Sequence, residues 1–114
     1  MFRRLSVAVA ATMLFTGAAL ADPIEGNWRT ETGSTAKFSP CGGSFCIKLT
    51  TGEHAGKSIG KLSATGGNKY RGEITDPADD KTYTGKATLN GNSLRMQGCV
   101  FGGLICQSQT WTRI

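Results

Sequence analysis

Histidine and metal-ligand patterns are scarce in this sequence. The 114 residues include a single histidine, His54, and four cysteines that form no C-x-x-C pair. A zinc site needs clustered Cys and His ligands, so we expect no metal, and no motif indicates another cofactor. Long runs of like charge are also missing, because the 13 basic and 8 acidic residues are scattered. The charge pattern therefore gives no indication of a nucleic-acid partner.

Helical patterns and long apolar runs are missing after the first 21 residues. No window beyond that point shows the 3.6-residue hydrophobic period of an amphipathic helix. No apolar run there approaches the ~20 residues that a membrane-spanning helix needs. We therefore expect an all-β chain with no membrane span in residues 22–114.

The first 21 residues have a different composition. Arg3 and Arg4 precede an apolar stretch over residues 5–20, and Ala19-Leu20-Ala21 fits a small-residue cleavage site. We expect residues 1–21 to be a signal peptide, cleaved after Ala21, that exports the protein to the periplasm or the exterior. The mature chain would then start at Asp22.

The remaining 93 residues suffice for one small domain. Without Arg3 and Arg4, eleven Lys and Arg stand against eight Asp and Glu, so the formal net charge is +3 instead of +5. A mildly positive surface of this kind is ordinary for a solvated domain, and attraction to anionic lipid headgroups is a minor option.

Four cysteines in an exported chain of this size predict two disulfides, for which three pairings are possible. Cys41 and Cys46 enclose four residues, and Cys99 and Cys106 enclose six. Each pair brackets a Gly-Gly connection between strand-like runs, where the two ends of a hairpin approach closely. We therefore expect the local pairs Cys41–Cys46 and Cys99–Cys106.

Four alternating runs dominate the C-terminal part, at residues 69–75, 81–89, 93–97 and 107–114. The gaps between them carry turn chemistry. Asp76–Asp80 contains an Asp-Pro step, and Asn90-Gly91 suits a type I′ hairpin. These features predict four antiparallel strands in a meander.

The N-terminal part shows four further runs, at residues 23–31, 35–39, 44–50 and 57–65. The last is the least regular, because Ile59 and Leu62 do not share a strand face. Eight short strands with one apolar face each can close into a small barrel, which removes exposed edges. A flattened sandwich is the alternative on pattern alone.

Two motifs near the ends of the chain resemble the barrel closure of lipocalins and the wider calycin group. Gly26-Asn27-Trp28 matches the Gly-x-Trp signature of the first strand, and Arg113 lies where that group has a basic residue packing across the tryptophan. The resemblance implies a small antiparallel, up-and-down, eight-stranded lipocalin-like barrel. It also implies that Trp28 and Arg113 are in contact, a pairing that contributes roughly 0.5 to 2 kcal/mol.

Longer segments are similar to small exported bacterial proteins catalogued as domain of unknown function 2147. The similar segments are residues 23–30, the Cys41/Cys46 pair, 74–77 with 81–86, and 108–113. One departure is Asp80, where that family usually has glycine before the lysine, although Asp tolerates a positive φ better than most residues. The resemblance implies a lipocalin-like fold in residues 22–114. It implies no catalytic residues, because that family has none established.

Catalytic patterns are weak. Residues 52–58 resemble a phosphate-binding loop but have three residues where Gly-x4-Gly-Lys-Ser needs four. Glu53, His54 and Ser58 lie too close in sequence to indicate a triad. The acids of the Asp76–Asp80 turn miss the EF-hand spacing, so a polar turn explains them. We therefore expect no enzymatic activity.

Strand parity brings aromatic, small and amide side chains to the inward face. Gly72, Gly85 and Ala87 share that face and should leave space beside the rings, so Gly85→Leu would fill the interior. A pocket with apolar walls and a few polar groups is typical of small-molecule sites, whereas a solid aromatic core is the alternative. The predicted ligand-binding residues are Trp28, Tyr70, Tyr83, Met96, Gln107, Gln109 and Trp111.

Two functional classes fit these patterns. The first is a carrier or sensor of a small hydrophobic or amphipathic ligand. The second is a rigid module or inhibitor that contacts an envelope protein through the apolar loop between Cys99 and Cys106, since such loops often mark interaction sites. The same loop could instead be a lid over the barrel mouth, so the pattern does not separate the two classes.

Overall fold

The computed structural model describes residues 22–114, so the predicted signal peptide lies outside the described residues. The strands are β1 (Gly26–Arg29), β2 (Thr35–Cys41), β3 (Ser44–Leu49), β4 (Ser58–Gly66), β5 (Lys69–Asp76), β6 (Lys81–Asn90), β7 (Ser93–Val100) and β8 (Ile105–Arg113). A single 3₁₀ turn at Phe101–Gly103 connects the last two. Within this range no helix is long and apolar enough to cross a membrane.

Each strand pairs antiparallel with the next, and β1 pairs with β8, so the sheet is a closed eight-stranded barrel. The predicted up-and-down barrel is confirmed, and the sandwich alternative is excluded. The predicted disulfides are also confirmed, because Cys41 is bonded to Cys46 and Cys99 to Cys106.

A bulge explains the irregular pattern in β4. Ile47 pairs with Gly60 while Lys48 pairs with Ser58, so Ile59 is the extra residue on its strand. The extra residue breaks the two-residue alternation. Ile59 and Leu62 are consequently both buried, although their spacing does not place them on one face of a regular strand.

The turn between β6 and β7 differs from the prediction. Asn90 pairs with Ser93, which makes Gly91 and Asn92 the two central residues. Gly91 has φ 63°, whereas Asn92 is not among the residues with positive φ. A positive φ at the first central position alone is the pattern of a type II′ turn rather than type I′.

In the turn between β5 and β6, Asp80 has the positive φ (58°) that is expected where the family usually has glycine.

The two ends of the barrel differ. At one end, residues 22–25 cross from β8 to β5: Arg113 donates hydrogen bonds to the carbonyls of Pro23 and Glu25, and the Tyr70 hydroxyl donates to Asp22. Ile24, between these anchors, is fully buried. We call this the closed end. The open end carries the connections at residues 30–34, 50–57, 77–80 and 101–104.

First and last strands meet beside the closed end. Trp28 pairs with Arg113 in the β1–β8 register, and the Arg113 guanidinium carbon lies 4.2 Å from the centroid of the Trp28 ring. The contact that the lipocalin resemblance implied is therefore present. The indole N–H of Trp28 donates to the carbonyl of Ile24 (2.9 Å), so this fully buried ring has its polar group satisfied.

Candidate functional site

A cavity of about 850 Å³ opens at the open end of the barrel. Its walls combine apolar and polar side chains from most of the strands. The apolar ones include Leu49, Ile59, Ile74, Tyr83, Met96 and Trp111, and the polar ones include Thr30, Glu31, His54, Lys81, Gln107 and Gln109.

Trp111 and Met96 form the deep part of the cavity. Both are almost fully buried, and Trp111 packs edge-on against Phe38 with ring centroids 6.1 Å apart. The indole N–H of Trp111 donates to Oε1 of Gln109 (2.8 Å). Because this bond satisfies the only polar group of the indole, the ring presents an apolar surface to the cavity.

Two glutamines line the wall above this apolar base. Gln109 pairs with Met96 and Gln107 with Gly98 in the β7–β8 register, so both share the inward face that parity predicted. Their side chains are nevertheless exposed, because they face an open cavity and not a packed core. An amide in this position can donate and accept hydrogen bonds with a ligand or with water.

Tyr83 and Gly98 line the cavity on the β6–β7 wall. Tyr83 is half-buried, and a methyl group added at Gly98 would lie 3.6 Å from the Tyr83 Cβ, an ordinary van der Waals contact. A methyl group at Gly98 would therefore pack against Tyr83 without a clash.

Gly85 does not leave the space that the sequence suggested. A Cβ built there would lie 2.5 Å from Cγ1 and 2.8 Å from Cδ1 of Ile74. The Ile74 side chain thus occupies the volume that the missing side chain frees. The expectation that Gly85→Leu fills a cavity is wrong, because that substitution would collide with an existing core side chain.

Gly72 also serves close packing. A Cβ at Gly72 would lie 1.9 Å from the backbone oxygen of Lys61, on the neighbouring strand β4. Glycine in a strand often marks such a close backbone approach at a tight bend. Gly72 therefore allows β4 and β5 to approach closely and does not create a cavity.

Trp28 and Tyr70 lie away from the cavity. Trp28 is enclosed at the β1–β8 seam, and Tyr70 packs at the closed end, edge-on against Phe45 with centroids 6.0 Å apart. Five of the seven predicted residues line the cavity, namely Tyr83, Met96, Gln107, Gln109 and Trp111. Parity assigned the inward face correctly but could not give the height along the barrel axis.

Burial raises the pKa of the Tyr70 hydroxyl far above its usual range, and the hydrogen bond and negative charge of Asp22 add to the shift. The hydroxyl donates to Oδ1 of Asp22 over 2.5 Å. Tyr70 is consequently a neutral anchor for the N-terminal segment rather than a reactive group.

Polar contacts hold the rim of the cavity. Lys57 donates to the carbonyl of Pro77 (2.9 Å) and pairs with Asp80 (3.3 Å), which joins two rim connections. Glu31 accepts a hydrogen bond from the backbone N–H of Thr110 (2.7 Å). These contacts limit the movement of the loops around the opening.

The acids of the 76–80 turn stabilise the turn itself. Asp76 accepts a hydrogen bond from the N–H of Ala78, and Asp79 accepts one from the N–H of Lys81. The arrangement agrees with the polar-turn interpretation. Across residues 22–114 no group of three or more His, Cys, Asp or Glu side chains could hold a metal ion.

The wall residues that escaped the predicted binding set include Leu49, Ile59 and Ile74. Ile59 lies in the bulge, which no alternation pattern reveals. Leu49 and Ile74 carried an inward signal in their strand parity, but so did many core residues, and parity alone does not separate cavity wall from core.

Comparison with known proteins gives a family and no function. No curated protein matches the chain, and no solved structure matches it. Residues 26–113 match the sequence model of a family described as uncharacterized protein conserved in bacteria (DUF2147). This match spans the whole barrel from the start of β1 to the end of β8, so the chain belongs to the DUF2147 family.

Proposed function

We propose that this protein binds one small apolar or amphipathic molecule in the cavity at the open end of the barrel. The observation that carries the proposal is a space of about 850 Å³ with Trp111 and Met96 at its base and two inward amides on its wall. This volume lies within the ~300 to 1,000 Å³ of typical ligand sites, which are also mainly apolar with a few polar groups.

The distribution of side chains suggests how such a molecule lies. Its apolar part would enter first, against Trp111 and the flexible, polarizable thioether of Met96. Its polar part would stay near Gln107 and Gln109, or nearer the opening beside Lys81. A ligand with an apolar tail and an uncharged or anionic head matches this gradient best.

The architecture supports a carrier rather than an enzyme. An eight-stranded up-and-down barrel closed by a Gly-x-Trp strand and a terminal arginine resembles the lipocalins, which hold one small ligand inside. Several ionisable groups at the mouth are engaged in rim contacts: Glu31 binds a backbone N–H, and Glu53 pairs with His54 (3.1 Å). We propose that the protein is a lipocalin-like member of the calycin group without enzymatic activity.

We also propose export, with cleavage after Ala21. Two disulfides are typical of a periplasmic or extracellular bacterial protein. Asp22 is already anchored to the barrel through Tyr70, so a cut just before it would leave every described contact intact. N-terminal sequencing of protein recovered from the periplasm or medium should begin at Asp22, and an intact Met1 terminus would contradict export by this route.

Ligand binding can be tested by filling the cavity. Fluorescent fatty-acid analogues are titrated into the protein while tryptophan emission, to which Trp111 contributes from the cavity base, is followed. The wild type should saturate near one ligand per chain. Gly98→Leu should abolish saturation, because Gly98 lines the cavity and a branched side chain there would occupy part of it.

Thr112→Leu is the matched control, since it adds a similar apolar side chain to an exposed position on β8 that faces outward. It should bind as the wild type does, and both variants should melt cooperatively. The absence of saturable binding by the wild type to a broad panel of lipids, or equal binding by Gly98→Leu, would overturn the proposed function.

A further inference from the structure

The outer wall of strands β5 to β7 carries a cluster of four basic residues: Lys69, Arg71, Lys86 and Arg95. Arg71 and Lys86 are direct cross-strand partners. Thr88 pairs with Lys69 on one side and with Arg95 on the other, which places those two beside the first pair. Diagonal neighbours on a sheet face are ~7 to 8 Å apart, so the four charges form one patch.

This arrangement is unfavourable for the isolated protein. Like charges directly opposite each other on a sheet destabilise it. None of the four residues takes part in a salt bridge within residues 22–114, and Arg95 only donates a hydrogen bond to Ser108 (3.3 Å). The nearest acid on this wall, Glu73, pairs directly with Lys61. An anionic partner would relieve the repulsion.

An exposed apolar tip lies beside the cluster. Leu104 is 87% exposed and Ile105 is 55% exposed, which makes them two of the three exposed large apolar side chains in the described chain. The disulfide between Cys99 and Cys106 closes the loop that presents them.

The loop approaches the outer wall at Lys86. Cys99, at the base of the loop, pairs with Thr84 on the outward face and is only 2% exposed. The ammonium nitrogen of Lys86 lies 4.0 Å from where a Cβ of Gly103 would be. The apolar tip and the basic cluster are therefore one continuous surface.

We propose that this surface docks on an anionic phospholipid bilayer, with Leu104 entering the interface and the four basic side chains contacting lipid phosphates. Stable attachment to a membrane surface usually combines a modest apolar anchor with a basic patch, and both parts are present here. The proposal does not depend on a ligand in the cavity. It does bring the cavity opening near the bilayer, because Val100 and Ile105 at the base of the loop line the mouth.

The opposite wall provides a smaller surface for comparison. Lys37 and Lys48 are direct partners on β2 and β3, and Ile114, 57% exposed, bonds to the neighbouring Asn27. This surface has three basic residues instead of four, because Arg29 is a diagonal neighbour of Lys37. Its apolar residue is the chain terminus, which no disulfide holds.

Cosedimentation with vesicles tests the charges. The wild type should bind vesicles of phosphatidylglycerol and phosphatidylcholine, should ignore pure phosphatidylcholine, and should dissociate at high salt. Each basic side chain near an anionic surface contributes about a 5-fold factor, so Arg71→Gln/Lys86→Gln should bind about 25-fold more weakly. Lys37→Gln/Lys48→Gln removes the same charge and should bind nearly as the wild type does.

Leu104→Ser tests the tip, with Ile114→Ser as its control. Only Leu104→Ser should weaken binding. Arg71→Gln/Lys86→Gln should melt no lower than the wild type, because it removes a repulsive pair. The proposal fails if the two charge variants lose binding equally, if Leu104→Ser binds normally, or if the wild type ignores both kinds of vesicle. In the last case the tip is left as a contact for a protein partner.

Discussion

Tyr70 and Trp111 both face inward, yet they have different roles at the residue scale. Trp111 bonds to Gln109 and leaves a ring face toward an open cavity, whereas Tyr70 bonds to Asp22 and closes the other end. A strand residue two positions along points to the same face but lies ~6.5 Å further along the barrel. Height along the axis thus decides whether an inward aromatic residue becomes part of a cavity wall or of a plug.

Tyr70→Phe should therefore affect stability and not ligand binding. Loss of a hydrogen bond to a carboxylate costs roughly 1 to 3 kcal/mol, measured as the free energy of unfolding in urea at neutral pH. Tyr83→Phe is the control and should change stability little. A Tyr70→Phe variant with unchanged stability would show that the Asp22 contact does not secure the N-terminal segment.

The same substitution should alter the pH dependence. The folded state raises the pKa of Tyr70 above its unfolded value of ~10. The stabilisation is therefore fully present below pH ~10 and is lost as the pH rises further, because only the unfolded hydroxyl ionises. Above that pH the wild type should lose stability more steeply than Tyr70→Phe.

At the scale of the elements, the register of β5, β6 and β7 aligns Gly72, Gly85 and Gly98 in one cross-strand row. The three glycines have three different surroundings. Gly72 faces the backbone of β4, Gly85 faces the Ile74 side chain, and Gly98 faces the Tyr83 side chain at ordinary van der Waals distance. Residue type and strand parity do not distinguish the three glycines, whereas the packing of the neighbouring strand does.

Gly72→Ala and Gly98→Ala make a matched pair for this row. A Cβ at Gly72 cannot coexist with the Lys61 oxygen at 1.9 Å, so backbone must move, at a cost of about 3 kcal/mol or more. Gly98→Ala should be neutral or stabilise by up to ~1 kcal/mol, since it reduces the entropy of the unfolded chain. Similar unfolding midpoints for the two variants would contradict this description of the β4–β5 contact.

At the scale of the whole molecule, closure of the barrel depends on its shortest seam. Only two residue pairs, Trp28 with Arg113 and Arg29 with Thr112, join β1 to β8. Arg113 strengthens this seam by lying over the Trp28 ring and by donating to the carbonyls of Pro23 and Glu25. One side chain thus ties together the first strand, the last strand and the N-terminal segment.

Arg113→Met should destabilise the protein by roughly 2 to 3 kcal/mol, more than a cation–π contact alone, because two carbonyls also lose their donor. Trp28→Ala should cost ~3 to 5 kcal/mol as a buried large-to-small change. Arg113→Lys keeps the charge without the planar fork and should fall between the wild type and Arg113→Met. A melting curve of Arg113→Met that superimposes on the wild type would refute the role of this seam.

The sequence by itself determined the strand order, the eight-stranded barrel, both disulfides and the closing pair of Trp28 with Arg113. These features follow from alternation, turn residues and pairings between chain neighbours, or from a recognisable motif at each end. The tertiary structure alone decided that Ile59 is a bulge residue, that Ile74 fills the space at Gly85, and that Trp28 and Tyr70 lie outside the cavity. Each of these depends on how far one strand is shifted along its neighbour, and a two-residue period carries no information about that shift.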